Sequence, residues 1–167
     1  DGQAYIYWGN VKMYAAKLND DMVSVDWSTL VDITPANNYK EATFVIKRNG
    51  TYYFMWSDGD TGSWNYNVRY GTSSSPLGPI EGNNRILSRN NTDDPAIRGN
   101  AHHGVINIPG TDDWYICYHR FNIPLYGDFE GQASEPGNHR EVCIDKMTFD
   151  DEGNIEVVTA TLGGILE

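Results

Sequence analysis

The chain has 167 residues, a formal net charge of −11 and a pI near 4.6. So acidic a balance argues against nucleic acid and against anionic membrane as partners, since both need a basic surface, and no apolar run is long enough to span a bilayer. The length allows one domain with a real core, and the aromatic content of 13% suits packed β-sheets or a sugar-binding surface, sheets being the default reading.

No segment shows the period of an amphipathic helix. What recurs is a turn followed by an aromatic strand: "DGQAYIYWG" at the start, "RNGTYYFMWS" in the middle and "PGTDDWYICYH" further on. Units of roughly 40–50 residues, each holding several strands, are the pattern of a β-propeller. The first unit, residues 1–35, opens inside a hairpin turn, so the strand expected ahead of "DG" is missing. The second, residues 36–98, reads as "ATFVIKR" innermost, a turn at "NG", then "TYYFMWS", "NYNVRYGTS" and an outer edge at "NRILS". The third, residues 99–167, repeats the plan with "HHGVINI", "WYICYH", a long loop, "REVCIDKMTF", the turn "DDEG" and a last strand at "NIEVVTA".

The central strand supports this reading. Tyr52, Phe54 and Trp56 point one way and Tyr53 and Met55 the other, so both faces are apolar and both must be covered. A propeller blade, held between two neighbours, meets that demand. The fold class expected is all-β: a partial propeller of a little under three antiparallel blades. A closed ring needs at least four blades, so the chain is expected to be a piece of a longer protein. Its open seam would be covered by N-terminal blades of the same protein or by a second copy in a homodimer.

Cys117 and Cys143 both fall in strand-like runs. Two buried free thiols are the simpler reading, and a disulfide between neighbouring strands is the alternative. "DDEG" lacks the spacing and distal Glu of a calcium loop and reads as a hairpin turn.

Chemistry is expected at one rim. In a propeller the inner strand starts at the rim to which the loop between the second and third strands returns. Glu41 opens an inner strand, the loop "DGDTGSWNY" carries Trp64, and His139 and Arg140 follow the corresponding loop of the third unit. Adjacent His102 and His103 point to opposite faces of their strand, so one ion cannot easily take both.

Five stretches in order, "DGQAYIYWG", "YKEATFVIKRNGTYYFMWS", "YGTSSSPLGPI", "GNAHHGVINIPGTDDWYICYHR" and "REVCIDKMTFDDEGNI", resemble the C-terminal part of a family 43 glycoside hydrolase across essentially the whole chain. That resemblance implies a five-bladed propeller that hydrolyses arabinosyl, xylosyl and in some members galactosyl linkages of plant polysaccharides with inversion. It implies secreted or periplasmic enzymes, although the sequence itself is silent on export. Glu41 holds the place of the general acid, with Ala42-Thr43 where the family usually has Gly-Pro. Gly99-Asn100-Ala101-His102 matches a Gly-x-Gly-His pattern with Ala for the second Gly. His102 is thereby the metal-side candidate and His103 a substrate-contact candidate. Arg140 is the residue expected to reach the sugar, and Trp64, from loop placement alone, is a stacking platform. No cofactor is required, though in some members a divalent cation such as calcium sits near the axis. The catalytic base and the Asp that tunes the acid would both precede Asp1, which leaves this portion inactive by itself. The rival function is a non-catalytic carbohydrate-binding propeller module, which would keep the aromatic platform and need no acid.

Overall fold

The computed structural model describes residues 2–60, 65–89, 97–121 and 140–165. Within them the chain forms ten strands and no helix, so no helix is long and apolar enough to cross a membrane. The strands are β1 (Tyr5–Trp8), β2 (Tyr14–Leu18), β3 (Val25–Asp32), β4 (Glu41–Arg48), β5 (Thr51–Asp58), β6 (Asn67–Ser73), β7 (Glu81–Leu87), β8 (Ala101–Asn107), β9 (Trp114–Phe121) and β10 (Arg140–Met147). They make three antiparallel meanders, β1-β2-β3, β4-β5-β6-β7 and β8-β9-β10.

The middle sheet sits between the other two because β5 has no polar face. Phe54 and Trp56 join Met13, Ala15, Ile33 and Tyr39 in one core, and Tyr7, Val31 and Tyr52 pack against it. Tyr7 meets Phe54 edge-on at 5.7 Å, and its hydroxyl donates to the Pro76 carbonyl at 2.9 Å. On the opposite face Tyr53 and Met55 join Val68, Tyr70, Ile116, Tyr118 and Met147 in a second core. A strand apolar on both sides is stable only with a neighbour on either side.

The last expected strand is not one. "NIEVVTA" makes an isolated bridge between Phe149 and Ile155 and no ladder on β10. Instead it turns toward the middle sheet: Val158 N–H donates to the Ile86 carbonyl at 2.8 Å, and Ile155 N–H donates to the Tyr70 hydroxyl at 3.1 Å. Ile155 and Val158 are buried in the second core. The alternating apolar residues that read as a strand face serve a crossing segment. The cysteines are free thiols. Cys143 pairs with Tyr118 and Cys117 with Ile144 across β9 and β10, so the two side chains lie on opposite faces of the sheet and cannot meet.

Two inner strands carry the same irregularity at the same end. Between Glu41 and Phe44, β4 has one residue more than β5 opposite, and between Ala101 and Gly104, β8 has one more than β9. Each bulge holds a non-glycine residue in the left-handed region, Ala42 at φ 59° and His102 at φ 51°. Bulges of this kind re-aim side chains and release backbone groups from the ladder.

Truncating β5 tests the two-sided burial. Phe54→Ala should lower the unfolding free energy by about 3–5 kcal/mol, while Val23→Thr, at an 87% exposed position, should change it by less than about 0.5 kcal/mol. Urea titrations of both variants at equal m-value make the comparison. Equal effects would contradict the packing described.

Candidate active site

Glu41, the first residue of β4, stands where all three sheets meet. Its side chain is 25% exposed. The Tyr66 hydroxyl, just ahead of β6, donates to Oε1 at 2.7 Å. The amide of Asn10, on the turn between β1 and β2, donates to Oε2 at 3.0 Å. His102 of β8 brings Nδ1 to 4.0 Å from Oε1 and to 3.3 Å from the Tyr66 hydroxyl. One carboxylate is thus addressed by a residue from each sheet.

The backbone explains the convergence. Asn10 follows Gly9, whose φ is 136° and where an added Cβ would lie 1.8 Å from the Lys12 carbonyl oxygen. Only glycine permits so tight a turn. The turn is then tied to the next sheet, Val11 N–H donating to the Lys40 carbonyl at 2.7 Å. Tyr39 adds a bond from its hydroxyl to the Gly9 carbonyl at 3.0 Å. On the other side Gly99, at φ 64°, lets the chain pass the Phe121 ring, which a Cβ would meet at 2.4 Å. That passage leads into the β8 bulge.

Beside Glu41 stands a column of rings. Tyr66 lies 5.6 Å from His119 and His102 lies 6.2 Å from it, with interplanar angles near 30° in both pairs (32° and 30°). Tyr66 is fully buried and His119 nearly so. Burial raises the Tyr66 pKa well above the ordinary phenol range, and the Glu41 charge adds to it, so the phenol keeps its proton. Burial pushes His119 down to about 4, helped by the charge of Arg140 and by His102, so its ring is neutral. Arg140, the exposed first residue of β10, therefore acts on both Tyr66 and His119 through its charge.

Of the residues singled out in the sequence, the structure brings Glu41 and His102 together and sets Arg140 in electrostatic reach of the rings beside them. His103 is not with them. It is 7% exposed, packs 6.1 Å from the Phe44 ring, and both its ring nitrogens are buried without a hydrogen-bond partner. The bulge turns His102 toward the rim and His103 into the interior, so His103 does not offer a sugar contact here. Trp64 and His139 lie outside the described residues. Tyr66, Asn10, Ser57 and His119 were not picked out. The rule that the loop between second and third strands returns to the inner-strand rim, applied to "WGNVK", would have found Asn10.

For a cation, the described donors around His102 are one carboxylate and one phenol. Calcium takes roughly six to eight oxygen ligands, and among the described residues no three His, Cys, Asp or Glu side chains converge to hold a metal. The described donors by themselves do not make a calcium site.

The model of the family described as glycosyl hydrolases family 43 matches residues 1–155. The chain belongs to glycosyl hydrolases family 43. Among its relatives is a beta-D-galactofuranosidase of Aspergillus niger, 33% identical over 99% of this chain and 45% of that protein. A beta-xylosidase of Xylanibacter ruminicola is 24% identical over 90% of this chain and 40% of its own length. The family 43 chain described here thus spans less than half the length of these curated relatives. Among solved structures, an alpha-L-arabinofuranosidase from Clostridium thermocellum superposes with a TM-score of 0.70 at 27% identity, over 100% of this chain and 52% of that one.

The buried histidines of this family 43 chain make its stability depend on pH. Burial pushes His103 down to about 3 and His119 to about 4. Both therefore stabilise the fold fully above the unfolded histidine pKa of about 6.5, and that stability is lost as pH falls toward the folded values. Thermal denaturation should show Tm level above pH 7 and falling between about pH 6.5 and 5, where ordinary carboxylates do not yet titrate. His103→Leu should flatten that limb. An unchanged slope in the variant would show that His103 titrates freely.

Proposed function

We propose that this chain is part of a secreted, inverting glycosidase that removes arabinosyl, xylosyl or galactosyl units from plant polysaccharides, with Glu41 as its general acid. The observation that carries the reading is the placement of Glu41 in a family 43 chain. It stands at the rim of an inner strand, partly exposed, with each carboxylate oxygen oriented by a donor from a different sheet.

The chemistry follows from that placement. Cleaving a glycosidic bond needs a proton on the departing oxygen and a nucleophile at the anomeric carbon. Glu41 gives its proton to the glycosidic oxygen as the bond from that oxygen to the anomeric carbon breaks. Water attacks the opposite face of the sugar and surrenders its proton to a second carboxylate, roughly 6.5–9.5 Å from the first. That base belongs to sequence ahead of Asp1 in the whole protein, as the resemblance implies. Arg140 would meet the sugar from the β10 side. Relatives named as a beta-D-galactofuranosidase, a beta-xylosidase and an alpha-L-arabinofuranosidase support this range of sugars.

In the full-length gene product, Glu41→Gln should lower kcat on an oligosaccharide by about 100- to 10,000-fold, the usual worth of general acid catalysis. KM should hold within about threefold, because the amide keeps the shape and loses the proton. Steady-state kinetics on the two proteins decide it. A loss confined to KM would assign Glu41 to binding and remove it as the acid.

A further inference from the structure

The hydrogen bonds around Glu41 have a direction, and that direction starts at a backbone amide. His102 N–H donates to Ser57 Oγ at 3.0 Å. It is free to do so because His102 sits in the β8 bulge at φ 51°, out of register with β9. A peptide N–H can only donate, so Ser57 Oγ accepts there. Its own proton stays available to the Tyr66 hydroxyl, on whose ionisation Ser57 acts. The Tyr66 proton goes to Glu41 Oε1 at 2.7 Å, the shorter of its two contacts, the other being His102 Nδ1 at 3.3 Å. Ser57 and Tyr66 are both fully buried, so no water competes for these bonds.

The consequence lies at the carboxyl group. Oε1 accepts the short hydrogen bond of the buried phenol. An acidic proton carried on Oε2 leaves that buried bond intact. That oxygen faces the exposed Asn10 amide at 3.0 Å, a contact an incoming glycosidic oxygen can replace, whereas the buried ring of Tyr66 closes off Oε1.

We propose that Tyr66, oriented by Ser57 and the bulged His102 peptide, is a positioning residue that assigns the catalytic proton of Glu41 to Oε2 and aims it toward the turn between β1 and β2, where the leaving group sits. This rests on Glu41 being the acid. It adds that the third sheet, through a bulge, sets which oxygen delivers the proton.

The test is the dependence of rate on the leaving group, which a purely structural defect would not change. In the full-length gene product, Tyr66→Phe should slow hydrolysis of a methyl glycoside, whose alkoxide needs a proton, by about 10- to 100-fold. Hydrolysis of a dinitrophenyl glycoside of the same sugar, whose aglycone leaves without one, should change by less than about threefold. Ser57→Ala should show the same selective loss and Ser57→Thr, which keeps the hydroxyl, should restore it. Equal slowing of both substrates in Tyr66→Phe, beside a selective loss in Glu41→Gln, would overturn the positioning role and leave the acid in place. Full activity of Glu41→Gln on the methyl glycoside would overturn both. A neutron structure reads the same point without turnover: deuterium on Glu41 Oε2, with the Tyr66 deuterium directed at Oε1, is expected, and deuterium on Oε1 would contradict the assignment.

Discussion

Strand β5 is apolar on both sides, and the rest of the structure is what covers it. Phe54 and Trp56 need one sheet and Tyr53 and Met55 another, so the chain places β1-β2-β3 and β8-β9-β10 on either flank. A sheet with one polar face would have been content with a single neighbour. The stacking that follows brings the same end of all three sheets to one rim, where side chains from three meanders touch one carboxylate.

Glu41 occupies that point. It begins the inner strand, where the chain emerges from the core, and so has protein on one side and solvent on the other. The packing that makes the cores also brings Asn10, Tyr66 and His102 to the carboxylate. The bulges in β4 and β8 are part of the same arrangement. Holding Ala42 and His102 in the left-handed region costs of order 1–3 kcal/mol each, which the two buried cores offset. In exchange the β4 bulge frees Glu41 from regular register and the β8 bulge frees a peptide N–H for Ser57.

Strand positions were legible in the sequence because their physical signals are local. "NG" between two apolar runs marks the β4–β5 hairpin, and alternation along "TYYFMWS" separates Phe54 from Tyr53 with no knowledge of their neighbours. The position of Glu41 at the start of a strand was legible for the same reason, while its role as the acid came only from the family resemblance. "NIEVVTA" misled because alternation reports burial on one side, and a crossing segment buried by β7 gives the same pattern as a strand paired to β10. His103 misled because two adjacent histidines differ only in which way a bulge turns them, and "AHHGV" carries no mark of a bulge. Tyr66 could not be told from the other tyrosines. Its place depends on Glu41, twenty-five residues earlier, and on the His102 ring, thirty-six residues later, meeting its hydroxyl across two sheets.

The central claim is that Glu41 is the group that meets the scissile bond. A crystal structure of the full-length gene product with an uncleaved oligosaccharide bound tests it most directly. The account predicts the glycosidic oxygen within hydrogen-bond reach of Glu41 Oε2, about 2.6–3.2 Å, with the departing sugar lying over the Gly9–Lys12 turn. A scissile oxygen held by a different carboxylate, with Glu41 outside hydrogen-bond reach, would contradict it.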